Sequence, residues 1–249
     1  MSCHRTAVCT VATGPHEELY EVSGPTFERF ARHHGYDLIV AHHELSGSRP
    51  PPWGKLALLR ELVDSYDRVV WIDADAVVVD PVGDIFETMG PLHALCLATH
   101  HYQGAEIPNM GVIATTGARW TKRFLERLWA SEHYIDHKWW ENAAALELLG
   151  YDVEAPRADT RRRTWASRRV GQLDLSWNSI SLDPAPRPRI VHFPGMTQHD
   201  RLVEMRRTLE LAGMGGDGVT NESSDTRRAI VNSDVGRRGL VHMQGVSER

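Results

Sequence analysis

Short apolar runs alternate with amphipathic stretches through the first half of the chain. Residues 7–12, 36–41 and 69–72 are apolar and rich in branched side chains, a composition that predicts buried strands. Apolar residues recur at helical spacing in 17–34 and 55–66, between these runs. A strand–helix–strand rhythm of this kind predicts a mostly parallel sheet with helices on both faces.

The remaining pattern completes a single α/β domain. Gly24-Pro25 interrupts the first helical stretch, so that stretch is predicted to form either one helix or two. Periodicity fades after residue 212, and we therefore predict a domain over 1–212 and a tail over 213–249 that is disordered or packs peripherally. The later predicted elements are helices at 84–89, 117–132, 139–149 and 199–212, and strands at 94–99, 109–116, 173–182 and 190–193.

Two carboxylates follow the third apolar run directly, in Asp73-Ala74-Asp75. Successive side chains of a strand point to opposite faces, so Asp73 and Asp75 project the same way if the extended geometry continues. Adjacent carboxylates repel each other unless a hard cation such as Mg²⁺ or Mn²⁺ lies between them. Ligands of such sheets bind beyond the carboxyl ends of the strands. The pattern predicts a metal site here, and a simple polar turn is the alternative.

Composition narrows the class of protein. The chain has 249 residues, 41% hydrophobic and 24% charged, which is ordinary for a soluble globular domain. A formal net charge of -5 does not favour nucleic-acid binding. No apolar run approaches the ~20 residues that span a membrane, and the start of the chain lacks a signal-peptide pattern. With three cysteines in no metal-ligand spacing, we expect a cytoplasmic protein without disulfides and without membrane contact.

Several ordered motifs together resemble one enzyme family. They are Trp53-Gly-Lys55, the segment from Tyr66 to Asp75, Asn109-Met-Gly111, Trp139-Trp-Glu-Asn142, Trp177-Asn178 and Ile190-Val-His-Phe-Pro-Gly195. This series, over about residues 5 to 200, is similar to nucleotide-sugar glycosyltransferases of the GT-A fold that carry an Asp-x-Asp motif. It is most similar to the galactosyl-, mannosyl- and xylosyltransferases of yeast and plants.

The resemblance implies a metal-dependent glycosyltransferase with a Rossmann-like domain and a central mixed sheet. Its donor would be a nucleoside diphosphate sugar, UDP rather than GDP, carrying a hexose or pentose. Asp73, Asp75 and His192 match the metal ligands of the family, and an imidazole among them favours Mn²⁺ over Mg²⁺. A histidine that merely ends a strand is the simpler interpretation of His192.

The resemblance also assigns residues to the donor and to catalysis. Glu141 and Asn142 match the acidic–amide pair that related retaining enzymes carry beside the reacting carbon, although those enzymes more often have aspartate and glutamine. Retention of anomeric configuration is therefore expected, with this pair stabilising a transition state of oxocarbenium character. The residues matched to the nucleotide and the donor sugar are Thr10, Ala12, Thr13, Lys55, Asp73, Ala74, Asn109, Gly111, Trp177, Asn178 and Gly195.

The chain departs from the family in ways that bear on the acceptor. We expect it to lack the membrane anchor of eukaryotic members. Residues 196–198 do not include the cysteine of those forms, and the arginine-rich loop at 157–169 has no obvious counterpart. We therefore expect a bacterial type of enzyme acting on a soluble small molecule or saccharide. The arginine-rich loop is interpreted either as a lid over the site or as a solvated surface loop.

Two other functions fit parts of the pattern. Ile72-Asp-Ala-Asp-Ala-Val77 also fits the motif of haloacid-dehalogenase-like phosphatases, with Asp73 as nucleophile, and Gly216 to Asn221 echoes a late metal motif of those enzymes. Two strands precede Asp73, however, whereas that family carries its nucleophile near the N-terminus. A non-catalytic sugar- or nucleotide-binding module is the other alternative, and it would need the metal site without Glu141 and Asn142.

Overall fold

The computed structural model describes residues 4–214 and 228–230, and within them it confirms an α/β fold with a mixed central sheet. The strands are β1 (Thr6–Val11), β2 (Asp37–Ala41), β3 (Arg68–Ile72), β4 (Ala76–Val78), β5 (Leu95–Tyr102), β6 (Ala105–Thr116), β7 (Val170–Gln172), β8 (Ile190–His192) and β9 (Arg228–Ile230). The α-helices are α1 (Pro15–His34), α2 (Gly54–Ser65), α3 (Arg119–Trp129), α4 (Trp140–Leu149) and α5 (Gln198–Leu211).

The sheet has the strand order β7-β5-β6-β3-β1-β2-β9. Strand β1 runs parallel to both β2 and β3, and β9 and β7 also pair in parallel with their neighbours. Strand β6 is antiparallel to both β3 and β5. The start of β6 therefore lies at the same edge of the sheet as the carboxyl ends of β1, β3 and β5.

Alternating side chains of the strands build two cores. Cys9 and Trp71 belong to a core packed against α2, α3 and α4, whereas Val8 and Val70 belong to a core packed against α1. All four side chains are at most 3% exposed. Burial of both faces explains why these strands read as continuous apolar runs and show no alternation of polar and apolar residues.

Helix α1 is a single helix, which decides between the two forms that Gly24-Pro25 left open. Pro25 lies inside it on the exposed side, while Phe27 and Phe30 are fully buried on the opposite side. Burying two phenylalanines is worth several kcal/mol, comparable to the ~3 kcal/mol that an interior proline costs a helix. Tertiary packing thus keeps the helix continuous.

The strand predicted at 173–182 is wrong for most of its length. Asp174 accepts a hydrogen bond from the Ser176 amide at 2.9 Å and caps a 3₁₀ turn at Leu175–Asn178, so the segment bends and does not extend. The helix predicted at 84–89 is likewise only a 3₁₀ turn, Ile85–Thr88. The late strand β8 is present, and it pairs with β4 in a separate two-stranded sheet.

Part of the predicted tail contributes to the sheet, because β9 pairs in parallel with β2 at its edge. The prediction for 215–227 and 231–249 lies outside the described residues. Within the residues that are described, no helix combines the length and the apolar character that crossing a membrane requires.

Candidate active site

A cleft of about 600 Å³ lies at the edge where β1, β3 and β5 end and β6 begins. Its floor carries three potential metal ligands, Asp73, Asp75 and His192, whose ligand atoms all lie within 4.8 Å of one another. The Nε2 atom of His192 is 3.3 Å from Asp75 Oδ1 and 3.6 Å from Asp73 Oδ2. The predicted cluster is thus brought together from residues more than a hundred positions apart.

The pairing of two strands positions His192 beside Asp73 and Asp75. Strand β4 starts directly after Asp75, and its first residue, Ala76, is in register with His192. The Phe193 amide also donates to the Asp75 carbonyl at 3.0 Å. The pairing of the two strands thus places His192 beside the Asp-x-Asp segment.

A chain of hydrogen bonds sets which nitrogen of His192 faces the aspartates. The Gly111 amide donates to Asn109 Oδ1 at 2.8 Å, and Asn178 Nδ2 donates to the same oxygen at 2.9 Å. Asn178 Oδ1 must then face His192 Nδ1, which lies 3.0 Å away and therefore carries the proton. Nε2 is left facing the carboxylates, on the side from which an imidazole can offer a lone pair to a metal.

Gly111 is required by the close approach of this histidine. A Cβ built on Gly111 would lie 2.2 Å from His192 Cε1 and 2.8 Å from Asn109 Oδ1. Both distances are well inside van der Waals contact, so any larger residue would displace the ring or the amide. The glycine thus leaves room for His192 beside the two aspartates.

A buried ion-pair network lies beside the metal cluster. Lys55 Nζ is 3.0 Å from Asp73 Oδ1, 3.0 Å from Glu141 Oε1 and 3.0 Å from the Met110 carbonyl oxygen. Burial alone would lower the pKa of Lys55, but the two carboxylates raise it, so the ammonium stays charged. Burial raises the pKa of Glu141 although Lys55 acts against it. Glu141 Oε2 is buried without a hydrogen-bond partner among the described residues.

Two further side chains hold the aspartates. The Trp71 indole donates to Asp73 Oδ1 at 2.6 Å, and Arg201 Nε lies 3.2 Å from Asp75 Oδ2 and 3.1 Å from the Phe193 carbonyl oxygen. Burial by itself raises the pKa of Asp75, but His192 and Arg201 more than offset it, and the pKa falls below its usual range. Asp75 is therefore held as a carboxylate.

The charges and donor atoms suit a divalent cation. Among the five side chains of this network, the three carboxylates of Asp73, Asp75 and Glu141 outnumber the two cations, Lys55 and Arg201, by one when Glu141 is ionised. A divalent cation would reverse that balance and make the floor attractive to a diphosphate. Two carboxylate oxygens with one imidazole nitrogen are a ligand set that Mn²⁺ accepts.

Most of the residues assigned to the site line the cleft, and Asn178 supports it from beneath. Thr10, Ala12 and Trp177 are buried and do not line it, and Trp177 instead packs against Phe30 with ring centroids 6.2 Å apart. Asn142 lines the cleft, while its Oδ1 accepts from the Met110 amide at 3.0 Å. The predicted residues that line the cleft are Thr13, Lys55, Asp73, Ala74, Asp75, Asn109, Gly111, Glu141, Asn142, His192 and Gly195.

The arginine-rich loop packs elsewhere in this structure. All six of its arginines are exposed, and none lies among the described residues that line the cleft. Arg161 Nε donates to the Leu149 carbonyl at 3.3 Å, at the end of α4 that faces away from Glu141, and its guanidinium covers the Tyr151 ring. A lid role would require this loop to move.

Sequence reasoning missed several cleft residues, among them Trp71, His100 and Arg201. Trp71 carried a usable signal, because it precedes Asp73 by two positions on one strand and so shares its face. Arg201 and His100 carried none, since each depends on packing between elements distant in sequence.

Several solved structures of glycosyltransferases share this architecture. The structure of a glycosyltransferase involved in glycosylation of the major capsid of PBCV-1 is 14% identical with a TM-score of 0.64, over 82% of this chain and 99% of that one. Galactosyltransferase LgtC, solved with donor and acceptor sugar analogs, is 12% identical with a TM-score of 0.56, over 83% and 95%. The apo form of glycosyltransferase GlyE from Streptococcus pneumoniae TIGR4 is 13% identical with a TM-score of 0.54, over 82% and 60%.

These similarities establish the fold as GT-A. No protein-family model and no curated protein matches the sequence. The phosphatase alternative is not favoured, because the architecture that carries Asp73 is that of the GT-A structures. Its second motif, at 216–221, lies outside the described residues.

Proposed function

We propose that the protein is a metal-dependent glycosyltransferase, of the Asp-x-Asp type that its motifs resemble. It would transfer a hexose or pentose from a nucleoside diphosphate sugar to a hydroxyl group. The observation that carries the proposal is the juxtaposition of two sites in one cleft: the Asp73–Asp75–His192 cluster, within 4.8 Å, and the buried Lys55–Glu141 pair. A binding module would not need the second of these sites.

The chain supplies the charges that a departing nucleoside diphosphate needs. Asp73, Asp75 and His192 would hold Mn²⁺ or Mg²⁺, which when bound neutralises charge on the diphosphate. Arg201 makes its contacts to Asp75 and Phe193 through Nε, so its two terminal amino groups are the ones available to phosphate oxygens at the cleft. Thr13 lines the nucleoside end of the cleft, where β1 stops.

Glu141 and Asn142 are proposed to act at the reacting carbon. The bond from the sugar C1 to the diphosphate oxygen breaks, a bond from C1 to the acceptor oxygen forms, and the acceptor proton leaves on the diphosphate. The Glu141 carboxylate, held by Lys55 with Oε2 unpaired, would stabilise positive charge that develops on C1. The Asn142 Nδ2 group can donate to a sugar hydroxyl, because Oδ1 already accepts from Met110. Retention of configuration is the expected outcome, from the resemblance of this pair.

The finer assignments follow the motif resemblance. We propose UDP in preference to GDP, Mn²⁺ in preference to Mg²⁺, and a bacterial type of enzyme that acts in the cytoplasm on a soluble acceptor. Family membership with the galactosyl-, mannosyl- and xylosyltransferases is proposed on the same motifs.

The test is metal-dependent binding of UDP. At a hundred times its dissociation constant a ligand stabilises the folded protein by ~2.7 kcal/mol, which in a chain of this size corresponds to a Tm shift of about 5–10 °C. We expect that shift with UDP and Mn²⁺ together, little shift with UDP and EDTA, and its loss in Asp75→Asn. Asp80→Asn is the matched control, since Asp80 lies outside the cleft in an ion pair with Arg189. Equal Tm shifts in the two variants would contradict the proposed metal site and, with it, the proposed function.

A further inference from the structure

The strand order divides the cleft into successive segments along the edge of the sheet. From β1 through β3 to β6, these segments carry Thr13, the metal cluster and Asn109. The next strand in the order is β5, whose end contributes His100 and Tyr102 to the same cleft. If the nucleotide occupies the β1 end and the sugar lies over β6, the segment at β5 is where an acceptor must enter.

This segment is rimmed by apolar side chains that are open to solvent. Tyr102, Trp140 and Leu182 are 39%, 40% and 58% exposed, and all three line the cleft. They are three of only eight large hydrophobic residues that are exposed in the described part of the chain. Exposed apolar groups that cluster in a cleft mark a binding surface, whereas isolated ones do not.

One residue of this rim, Trp140, has a strained backbone conformation. Trp140 has φ 42°, in the left-handed region that a bulky residue rarely adopts. Such a conformation costs about 1–3 kcal/mol and persists when the surroundings hold it, here through the hydrogen bond from the Trp140 amide to the His137 carbonyl at 2.9 Å. The Trp140 side chain lines the cleft and is 40% exposed.

One polar side chain lies buried among these apolar groups. His100 is 2% exposed, and neither of its ring nitrogens has a hydrogen-bond partner in the described residues. Its closest acidic neighbour is Asp183, whose Oδ2 is 3.6 Å from Nδ1 and already accepts from the His101 amide. Burial lowers the pKa of His100 to about 4, so at neutral pH the ring is uncharged and offers one N–H and one lone pair.

We propose that this segment binds the acceptor, and that the acceptor is an alcohol or phenol borne on an aromatic or aliphatic body, with its hydroxyl hydrogen-bonded to His100. Ile107, Ile180 and Leu182 offer no side-chain hydrogen bonds, so they suit the apolar part of the acceptor, and each polar group left unpaired against them would cost about 1–3 kcal/mol. The inference rests on the proposed glycosyl transfer and adds the substrate class to it.

The experiment compares acceptors that carry an aromatic group with one that does not. UDP release is measured with UDP-glucose or UDP-galactose as donor, and with phenyl β-glucoside, methyl β-glucoside or 2-naphthol as acceptor. We expect phenyl β-glucoside and 2-naphthol to be used at concentrations at least tenfold lower than methyl β-glucoside. Leu182→Asn should raise KM for the phenyl acceptor by roughly tenfold, since a half-buried leucine contact is lost. His100→Phe should lower kcat/KM for every acceptor at least tenfold.

Controls separate this inference from the proposed function. Leu92→Asn alters another exposed leucine, which lies outside the cleft, and should change nothing. Calorimetric affinity for UDP with Mn²⁺ reports on the donor end, and we expect it to be the same in all these variants. Equal use of methyl and phenyl glucosides, equal behaviour of the two leucine variants, or no use of any aromatic acceptor would overturn the inference. Absence of UDP binding in the unsubstituted protein would instead count against glycosyl transfer itself.

Discussion

Acid should destabilise this protein through one buried histidine, and replacing that residue should remove this part of the sensitivity. Burial lowers the pKa of His100 to about 4 from an ordinary value of 6.5, even though Asp183 acts in the opposite direction. The neighbouring histidines His192 and His101 act in the same direction as burial. Between about pH 6.5 and pH 4, therefore, the unfolded chain binds a proton at His100 that the folded chain does not bind. The free energy of unfolding falls as the pH falls through this window.

The size of the effect follows from the two pKa values. Their difference corresponds to about 3 kcal/mol, because each pH unit is worth ~1.4 kcal/mol. At pH 5 the unfolded form of His100 is almost fully protonated and the folded form is mostly neutral. About 2 kcal/mol of stability is then lost relative to pH 7 through this residue alone. Glutamine does not titrate, so His100→Gln should lose about 2 kcal/mol less than the unsubstituted protein over the same interval.

Urea unfolding followed by tryptophan fluorescence at pH 7 and pH 5 measures this difference. Titrating groups distant from His100 contribute equally to both proteins and cancel in the comparison, whereas Asp183, His101 and His192 interact with His100 and do not cancel fully. His33→Gln, which alters an exposed histidine of α1, should behave like the unsubstituted protein. If His100→Gln loses as much stability as the unsubstituted protein does, His100 is not buried in its neutral form and the reasoning fails.

Two further substitutions probe the cleft floor. Gly111→Ala should abolish the Mn²⁺-dependent Tm shift with UDP, because its Cβ would lie 2.2 Å from His192, whereas Gly54→Ala, with 3.7 Å of clearance, should bind normally. Lys55→Met should destabilise by about 3 kcal/mol in urea unfolding, since Glu141 loses the partner of a buried ion pair. Adding Glu141→Gln should recover part of that loss, because the buried carboxylate is then removed. If the double variant is no more stable than Lys55→Met, the loss does not come from an unpaired Glu141 carboxylate.

The parts of this protein that could be predicted from sequence are those set by local pattern. The apolar runs gave the central strands because a strand buried on both faces needs apolar side chains at every position. Asp73 and Asp75 could be placed side by side because strand geometry alone makes alternate side chains share a face. His192 was added by the resemblance of its motif, and the structure brings it to Asp75 through the β4–β8 pairing.

Where a local sequence preference and tertiary packing disagree, the sequence alone did not predict the secondary structure. Pro25 marks a break in a helix, yet α1 continues because its buried face packs against the sheet. The run at 173–182 has the apolar content of a strand, but the Asp174 cap turns it into a 3₁₀ helix and carries Trp177 into the core. The side chain of Asn178, from the same turn, instead orients His192.

The chemistry of the cleft was decided by tertiary structure. Lys55 and Glu141 lie 86 positions apart, and nothing in either local sequence shows that their side chains meet at 3.0 Å. The same holds for Arg201 at Asp75 and for His100 beside Asp183. The pattern of apolar and polar residues predicts which helices and strands form, because those elements depend mainly on neighbouring residues. Ion pairs, pKa values and the apolar rim depend on which elements pack together, and that is set by burial of the whole core.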